Sequence, residues 1–198
     1  VRRKRPDWVF MSGWGVMNQV AIKEAATIGF PMDHFVGNWW SGSDADVIPA
    51  GDNSIGYKST AMHSAGTKAK VFQDIIKHVY GGDKKKAKAN NVGEVLYNRA
   101  VLNAAFATEA VRDAIKAAGG KKPTGEQVRA ALEGFQVNKA RLAKIGMAGF
   151  TNPVSVSCKN HEGTSPGVFI QEWDGSKWKI SGKFIPAMSD VEIGRASC

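Results

Sequence analysis

Two apolar runs that each break at glycine and then present tryptophan constrain this chain most: Asp7-Trp-Val-Phe-Met-Ser-Gly-Trp-Gly15 and His34-Phe-Val-Gly-Asn-Trp-Trp-Ser-Gly42. The segment between them, Val16 to Gly29, carries Met17, Val20, Ala21, Ala25 and Ile28 at i, i+3, i+4 spacing, with Gly29 and Pro31 as a stop. The pattern predicts strand, helix, strand, with the first strand buried over Asp7 to Ser12. In an open α/β sheet, ligands sit at the carboxyl ends of parallel strands, so both tryptophan clusters are expected to flank one crevice.

The rest of the chain alternates in the same way and then changes texture. Ser43-Asp-Ala-Asp-Val47 offers an N-cap with early acids for a short helix, and Gly56 to His63 reads as a further strand. A helix is expected from about Thr67 to Tyr80 on the stripe Val71, Ile75, Ile76 and Val79, then a solvated lysine loop at 84–88. Val92 to Ala118 predicts a long alanine-rich helix closed by Gly119-Gly120, and Thr124 with Gln127 forms a capping box. Beyond Phe150 the period falls to two, and Asp174-Gly175 between Trp173 and Trp178 predicts a hairpin. The tail after Pro186 carries few periodic apolar residues.

Composition narrows the class. A chain of 198 residues with 43% hydrophobic and 23% charged residues is ordinary for a globular protein. No run approaches the roughly 18 apolar residues of a membrane span. The start, Val1-Arg-Arg-Lys-Arg-Pro6, lacks an initiator methionine and a secretory core, which suggests an internal piece of something longer. The net charge of +9 raises a nucleic-acid reading, but the basic residues gather in two blocks, Arg2 to Arg5 and Lys84 to Lys88, without interleaved aromatics.

Catalytic patterns are missing. Gly13-Trp-Gly15 is only the front of a dinucleotide fingerprint, because Asn18 stands where the third glycine belongs. His161-Glu162 lacks the second histidine of a zincin, and there is neither a Walker sequence nor a nucleophile elbow. His34, His63, His78 and His161 are scattered and read as surface or satisfied polar residues. Cys158 beside Lys159 reads as a small buried hydrophobe rather than an activated thiol, and Cys198 is the last residue. The reading is a non-enzyme with no catalytic residue, no cofactor and no metal. Among the six tryptophans, Trp8, Trp173 and Trp178 are expected to pack, whereas Trp14 and Trp39 face the crevice mouth and Trp40 points the other way from Trp39.

The run Pro6 to Gly15, then Glu24-Ala-Ala-Thr-Ile-Gly29, Phe35-Val-Gly37, Ala50-Gly-Asp52 and Gly56, resembles the later half of type I periplasmic solute-binding proteins of ABC importers. Within them it is most similar to the branched-chain amino-acid-binding (leucine/isoleucine/valine-binding) branch. Tyr97-Asn-Arg-Ala-Val-Leu-Asn103, Glu109-Ala-Val-Arg112, Val128-Arg-Ala-Ala-Leu-Glu-Gly134 and Phe169-Ile-Gln-Glu-Trp-Asp-Gly175 extend the likeness to about Lys183. It implies an α/β fold made of parts of two Rossmann-like lobes with a C-terminal β-hairpin, the first strands of both lobes missing. Residues 1–62 and 160–198 would form the C-terminal lobe and 63–159 the N-terminal lobe. Sheets without their first strands expose edges, so the chain would pair with another copy or represent part of the native molecule.

The resemblance also implies a site. Trp14, with Gly15, occupies the place of an aromatic residue that packs on the ligand, and Asn38 and Trp39 occupy the second strand turn. The family often carries there an acid that pairs with the ligand's ammonium; Trp39 cannot, and Asp44 is the substitute candidate. Ala61, Met62 and His63 would form a hinge. The implied protein is periplasmic, with a signal peptide upstream, and hands a small solute to the membrane subunits of an ABC permease, without nucleic acid. Two alternatives are a ligand-sensing domain of the same fold and a basic nucleic-acid-binding module.

Overall fold

The computed structural model describes residues 1, 3–158, 160 and 167–187. Arg2, His161, Glu162, Cys198 and the tail beyond Ala187 lie outside the described residues. In chain order, β1 (Val9–Met11), α1 (Val16–Thr27), β2 (Phe35–Gly37), α2 (Asp44–Val47) and β3 (Lys58–Ala61) come first. A helical region follows: α3 (Lys70–His78), α4 (Lys84–Ala89), α5 (Val95–Ala117), α6 (Gly125–Glu133), β4 (Gln136–Val137), α7 (Lys139–Lys144) and β5 (Val154–Ser155). The chain then returns as β6 (Gly167–Trp173) and β7 (Trp178–Pro186).

One mixed sheet has the order β1-β2-β3-β6-β7. β1, β2 and β3 run parallel, with Val9 opposite Phe35 and Val36 opposite Lys58. The Asp174-Gly175 hairpin joins β6 and β7, which add antiparallel strands beyond β3. Placing β1, β2 and β3 in parallel brings their carboxyl ends to one edge of the sheet, where both tryptophan clusters emerge.

Two separate cores form. The first joins Ile22, Phe35, Val47, Tyr57, Val95, Trp173 and Trp178 around the sheet. The second gathers Phe72, Ile76, Leu102, Ala110, Phe135, Leu142, Met147 and Phe150 among the helices. Helix α5 belongs to both, since Val95 packs in the first and Leu102 and Ala110 in the second. At its far end Arg141 of α7 bonds Glu109 through Nε and Asp113 through Nη1, both at 2.7 Å, which pins α7 to α5.

Local signals explain the boundaries. Ser43 and Asp46 form a reciprocal capping box on α2, and Thr124 and Gln127 form another on α6. Gly15 starts α1 at a φ of 56°, a conformation glycine adopts without steric cost. Other expectations are corrected. β1 is not buried: it lies at the edge of the sheet, and Phe10 is 80% exposed. α1 turns Asn18, Ile22 and Ala25 inward rather than Met17 and Val20, because the Asn18 amide bonds groups beneath the helix. The lysine run is the helix α4, started by the Asp83 side chain, which accepts from the Lys86 amide. Trp8 is half exposed and stacks on His34 at 4.3 Å instead of entering a core. Val79 of the expected α3 stripe is exposed. Cys158 is disulfide-bonded and therefore not a free thiol.

The end of β2 is tightly packed. A methyl group on Gly37 would lie 2.0 Å from the Tyr57 hydroxyl and 2.7 Å from Ser41 Cβ. Gly37→Ala should therefore destabilise the protein by about 2–3 kcal/mol in chemical denaturation, through overpacking. An unchanged midpoint would contradict this packing.

Candidate functional site

The turns after β1 and β2 are bound into one unit by buried polar groups. Asn38 N–H donates to the Met11 carbonyl at 2.9 Å, which closes the end of the β1–β2 pair. Ser41 Oγ donates to the Gly13 carbonyl at 2.8 Å and lies 3.1 Å from Asn38 Oδ1, which also accepts from Trp40 N–H. Asn18, fully buried on α1, donates both amide hydrogens, one to the Trp40 carbonyl and one to Asp46 Oδ1, each at 3.0 Å. Asp46 Oδ2 in turn accepts from Ser43 N–H and the Ser43 hydroxyl.

Tyr57, just before β3, and Gln171 on β6 hold the same turn. The Tyr57 hydroxyl donates to the Ser41 carbonyl at 2.8 Å, and burial raises its pKa so that it stays protonated. Gln171 on β6 donates to the Gly42 carbonyl at 2.8 Å and to Ser59 Oγ at 2.9 Å. Residues 38–43 are therefore tied to β1, β6, α1 and Tyr57, and each buried donor left unpaired would cost about 1–3 kcal/mol.

On this frame the expected site residues are placed as follows. Trp14 and Gly15 sit between Gly13, which accepts from Ser41, and Asn18, whose N–H donates to the Gly15 carbonyl. Trp14 is 68% exposed. Asn38 and Trp39 follow β2 directly. The Trp39 and Trp40 rings meet at a tilt of 31° with centroids 4.1 Å apart, so the two indoles form a pair rather than pointing apart. Asp44 lies at the foot of α5, where its Oδ2 accepts from Val95 N–H at 3.0 Å. Burial raises its pKa, partly countered by that hydrogen bond, and burial together with Asp44 raises that of Glu94.

Ala61, Met62 and His63 stand where the chain leaves the sheet for the helices. His63 pairs with Thr151 on the returning segment. Ser64 N–H donates to the Phe150 carbonyl at 2.9 Å and Thr151 Oγ1 to the Met62 carbonyl at 3.0 Å. The outgoing and returning chains thus cross side by side. His63 is buried, which lowers its pKa, and it donates from Nδ1 to the Ser64 carbonyl at 3.1 Å.

Asn18, Ser41, Asp46, Tyr57, Gln171 and Arg99 escaped the reading of the sequence. The available signal was Asn18 itself, a polar residue on a helix face that turns inward. A groove of about 840 Å³ opens elsewhere, between α3, α5 and α7. Of its charged groups Lys70 pairs with Asp74 and Arg112 with Glu109, Lys144 also lines it, and the rest of its lining is mostly alanine and other aliphatic residues. The aromatic turns are the better candidate because they combine exposed indoles with a fixed backbone.

A mixed α/β sheet whose three parallel strands carry the candidate site at their carboxyl ends, joined by paired crossings to a second set of helices, matches the type I periplasmic binding fold. The family model of the periplasmic binding proteins matches residues 1–177, and the chain belongs to that family. A protein from the Pseudomonas fluorescens group, described as an ABC transporter permease, is 37% identical with a TM-score of 0.83 over 96% of this chain and 46% of its own. A branched-chain amino acid ABC transporter protein from Thermus thermophilus with bound valine is 21% identical, with a TM-score of 0.71 over 94% and 48%. A solute-binding protein from R. palustris in complex with benzoate is 17% identical, with a TM-score of 0.60 over 93% and 45%. The chain spans about half the length of these solved structures. No curated protein matches it.

The Asp44 position yields a pH prediction. A carboxyl whose folded pKa is raised above its ordinary 3.8 favours the folded state below that value and loses this contribution as pH rises through the folded pKa. Asp44→Asn keeps an acceptor for Val95 N–H but does not titrate. Denaturation of both forms as a function of pH should show wild type losing stability relative to the variant as pH rises above 3.8. A difference independent of pH would contradict the burial assigned to Asp44.

Proposed function

We propose that the protein is the substrate-binding component of an ABC transporter, working in the periplasm and delivering a small solute to the permease. The observation that carries this is the union of the Trp14 and Trp39 turns by Ser41 and Asn18 at the carboxyl edge of one sheet. Membership of the periplasmic binding protein family supports it. In this reading the chain is the later half of the whole protein: 1–62 and 160–198 belong to the C-terminal lobe and 63–159 to the N-terminal lobe. Ala61, Met62 and His63 act as the hinge on which the lobes close.

Trp14, Gly15, Asn38 and Trp39 contact the solute. An indole at position 39 offers a face and no charge, so a solute ammonium would find no partner there, and an unpaired buried charge is costly. Asp44 already accepts a hydrogen bond from Val95 N–H. The paired, partly exposed indoles suit a planar solute, an aromatic or amide-like acid, and one of the similar solved structures holds benzoate. The other reading is a branched-chain amino acid whose ammonium is held by Asp44; a protein with bound valine shares the fold.

Calorimetric titration of the full-length protein with benzoate, leucine and valine separates these. Trp14→Ala should weaken binding by about tenfold, the loss of roughly 1.4 kcal/mol of stacking, with an unchanged far-ultraviolet spectrum. Unchanged affinity would mean that the indole does not touch the solute. Tight leucine binding abolished by Asp44→Ala would exclude the aromatic-acid version.

A further inference from the structure

Arg99 leaves α5 just beyond its first turn, and that turn is fixed in place. Val95 is packed in the sheet core, and the fully buried Asn98 donates to the Ser64 and Gly66 carbonyls at 3.3 and 2.9 Å. From this base the Arg99 guanidinium reaches the turn after β2. Nη2 donates to the Trp39 carbonyl at 2.6 Å, and Cζ lies 5.2 Å from the Trp39 ring and 5.7 Å from the Trp40 ring.

The surroundings of this cation are unusual. Among the described residues no carboxylate lies within ion-pairing distance of it, and Nη1 is buried without a hydrogen-bond partner. Asp46 acts on it only through space, and its oxygens accept from Ser43 and Asn18. Withdrawing a guanidinium from water without a counterion is unfavourable. Its attachments are one carbonyl and two indoles, all in the same turn, and attraction to the ring faces strengthens as water is excluded. An aliphatic side chain at this point of α5 would avoid the desolvation but leave the indoles unrestrained.

We propose that Arg99 is a positioning residue for the Trp39–Trp40 pair, fixing the orientation of the aromatic wall from the helix shared by both cores. The inference rests on the solute-binding reading of those indoles. It adds that the wall is set by α5 and not by the β2 turn alone. Any movement of α5 relative to the sheet therefore reorients the indoles, which couples solute contact to lobe position.

The test uses exciton-coupled circular dichroism of the full-length protein without solute, since indoles with centroids 4.1 Å apart couple. Trp40→Phe defines the contribution of the pair. Arg99→Met, matched in length and uncharged, should reduce that contribution to less than about half, and Arg99→Lys, which keeps a cation but not the two-pronged fork, should fall between. Thermal unfolding confirms that the variants are folded. A full-strength signal in Arg99→Met overturns the proposal. Where that variant does not fold, Arg99→Lys decides, a wild-type signal overturning it and a reduced one supporting it. Because no solute is present, this outcome is separate from that of the titrations: a normal Arg99 effect with no binding of any solute would sink the solute reading alone.

Discussion

The side-chain amide of Asn18 holds the aromatic end of the sheet together. It donates one hydrogen to the backbone of the second turn, at Trp40, and the other to the carboxylate that caps α2. Ser41 completes the link by reaching back to Gly13. These groups are buried, so water cannot replace a lost partner, and the two turns behave as one rigid surface. Trp14 remains exposed on that surface because its neighbours, not its own side chain, hold the turn in place.

Rigidity at this edge contrasts with the way the two bodies are joined. Each has its own core, and the connections among the described residues include two adjacent crossings and the first turn of α5. The crossings share few hydrogen bonds, Ser64 to Phe150 and Thr151 to Met62 among them. In the proposed reading these two cores belong to two lobes, and capture works by closure of one on the other. In the proposed mechanism the hinge moves while the backbone of the two turns stays in place, and the Trp39 and Trp40 rings follow α5 through Arg99.

Much of this architecture was legible in the residues. The glycine breaks after β1 and β2, the N-cap at Ser43, the capping box at Thr124 and the Asp174-Gly175 hairpin all rest on local rules, and the structure follows them. The failures share a cause. The inward face of α1 is chosen by Asn18, whose partners lie 22 and 28 residues away, and periodicity weighs a polar residue as outward-facing. The lysine run forms a helix because Asp83 caps it, a local signal outweighed by the charge run. Arg99 was unremarkable in an alanine-rich helix; its role depends on Trp39, 60 residues earlier in the chain. The tryptophans themselves were found, but their pairing was not, because sequence alternation assumes a strand where residues 39–41 turn as a short 3₁₀ helix.

The central claim is that the indoles of the first two strand turns form one solute-contacting surface. Indole N–H resonances of the full-length protein, followed by nuclear magnetic resonance during titration with a solute that binds, test it most directly. The account predicts that Trp14 and Trp39 shift together at the same solute concentration, while the buried Trp173 and Trp178 stay in place. A solute that binds while Trp14 and Trp39 remain unmoved would contradict it.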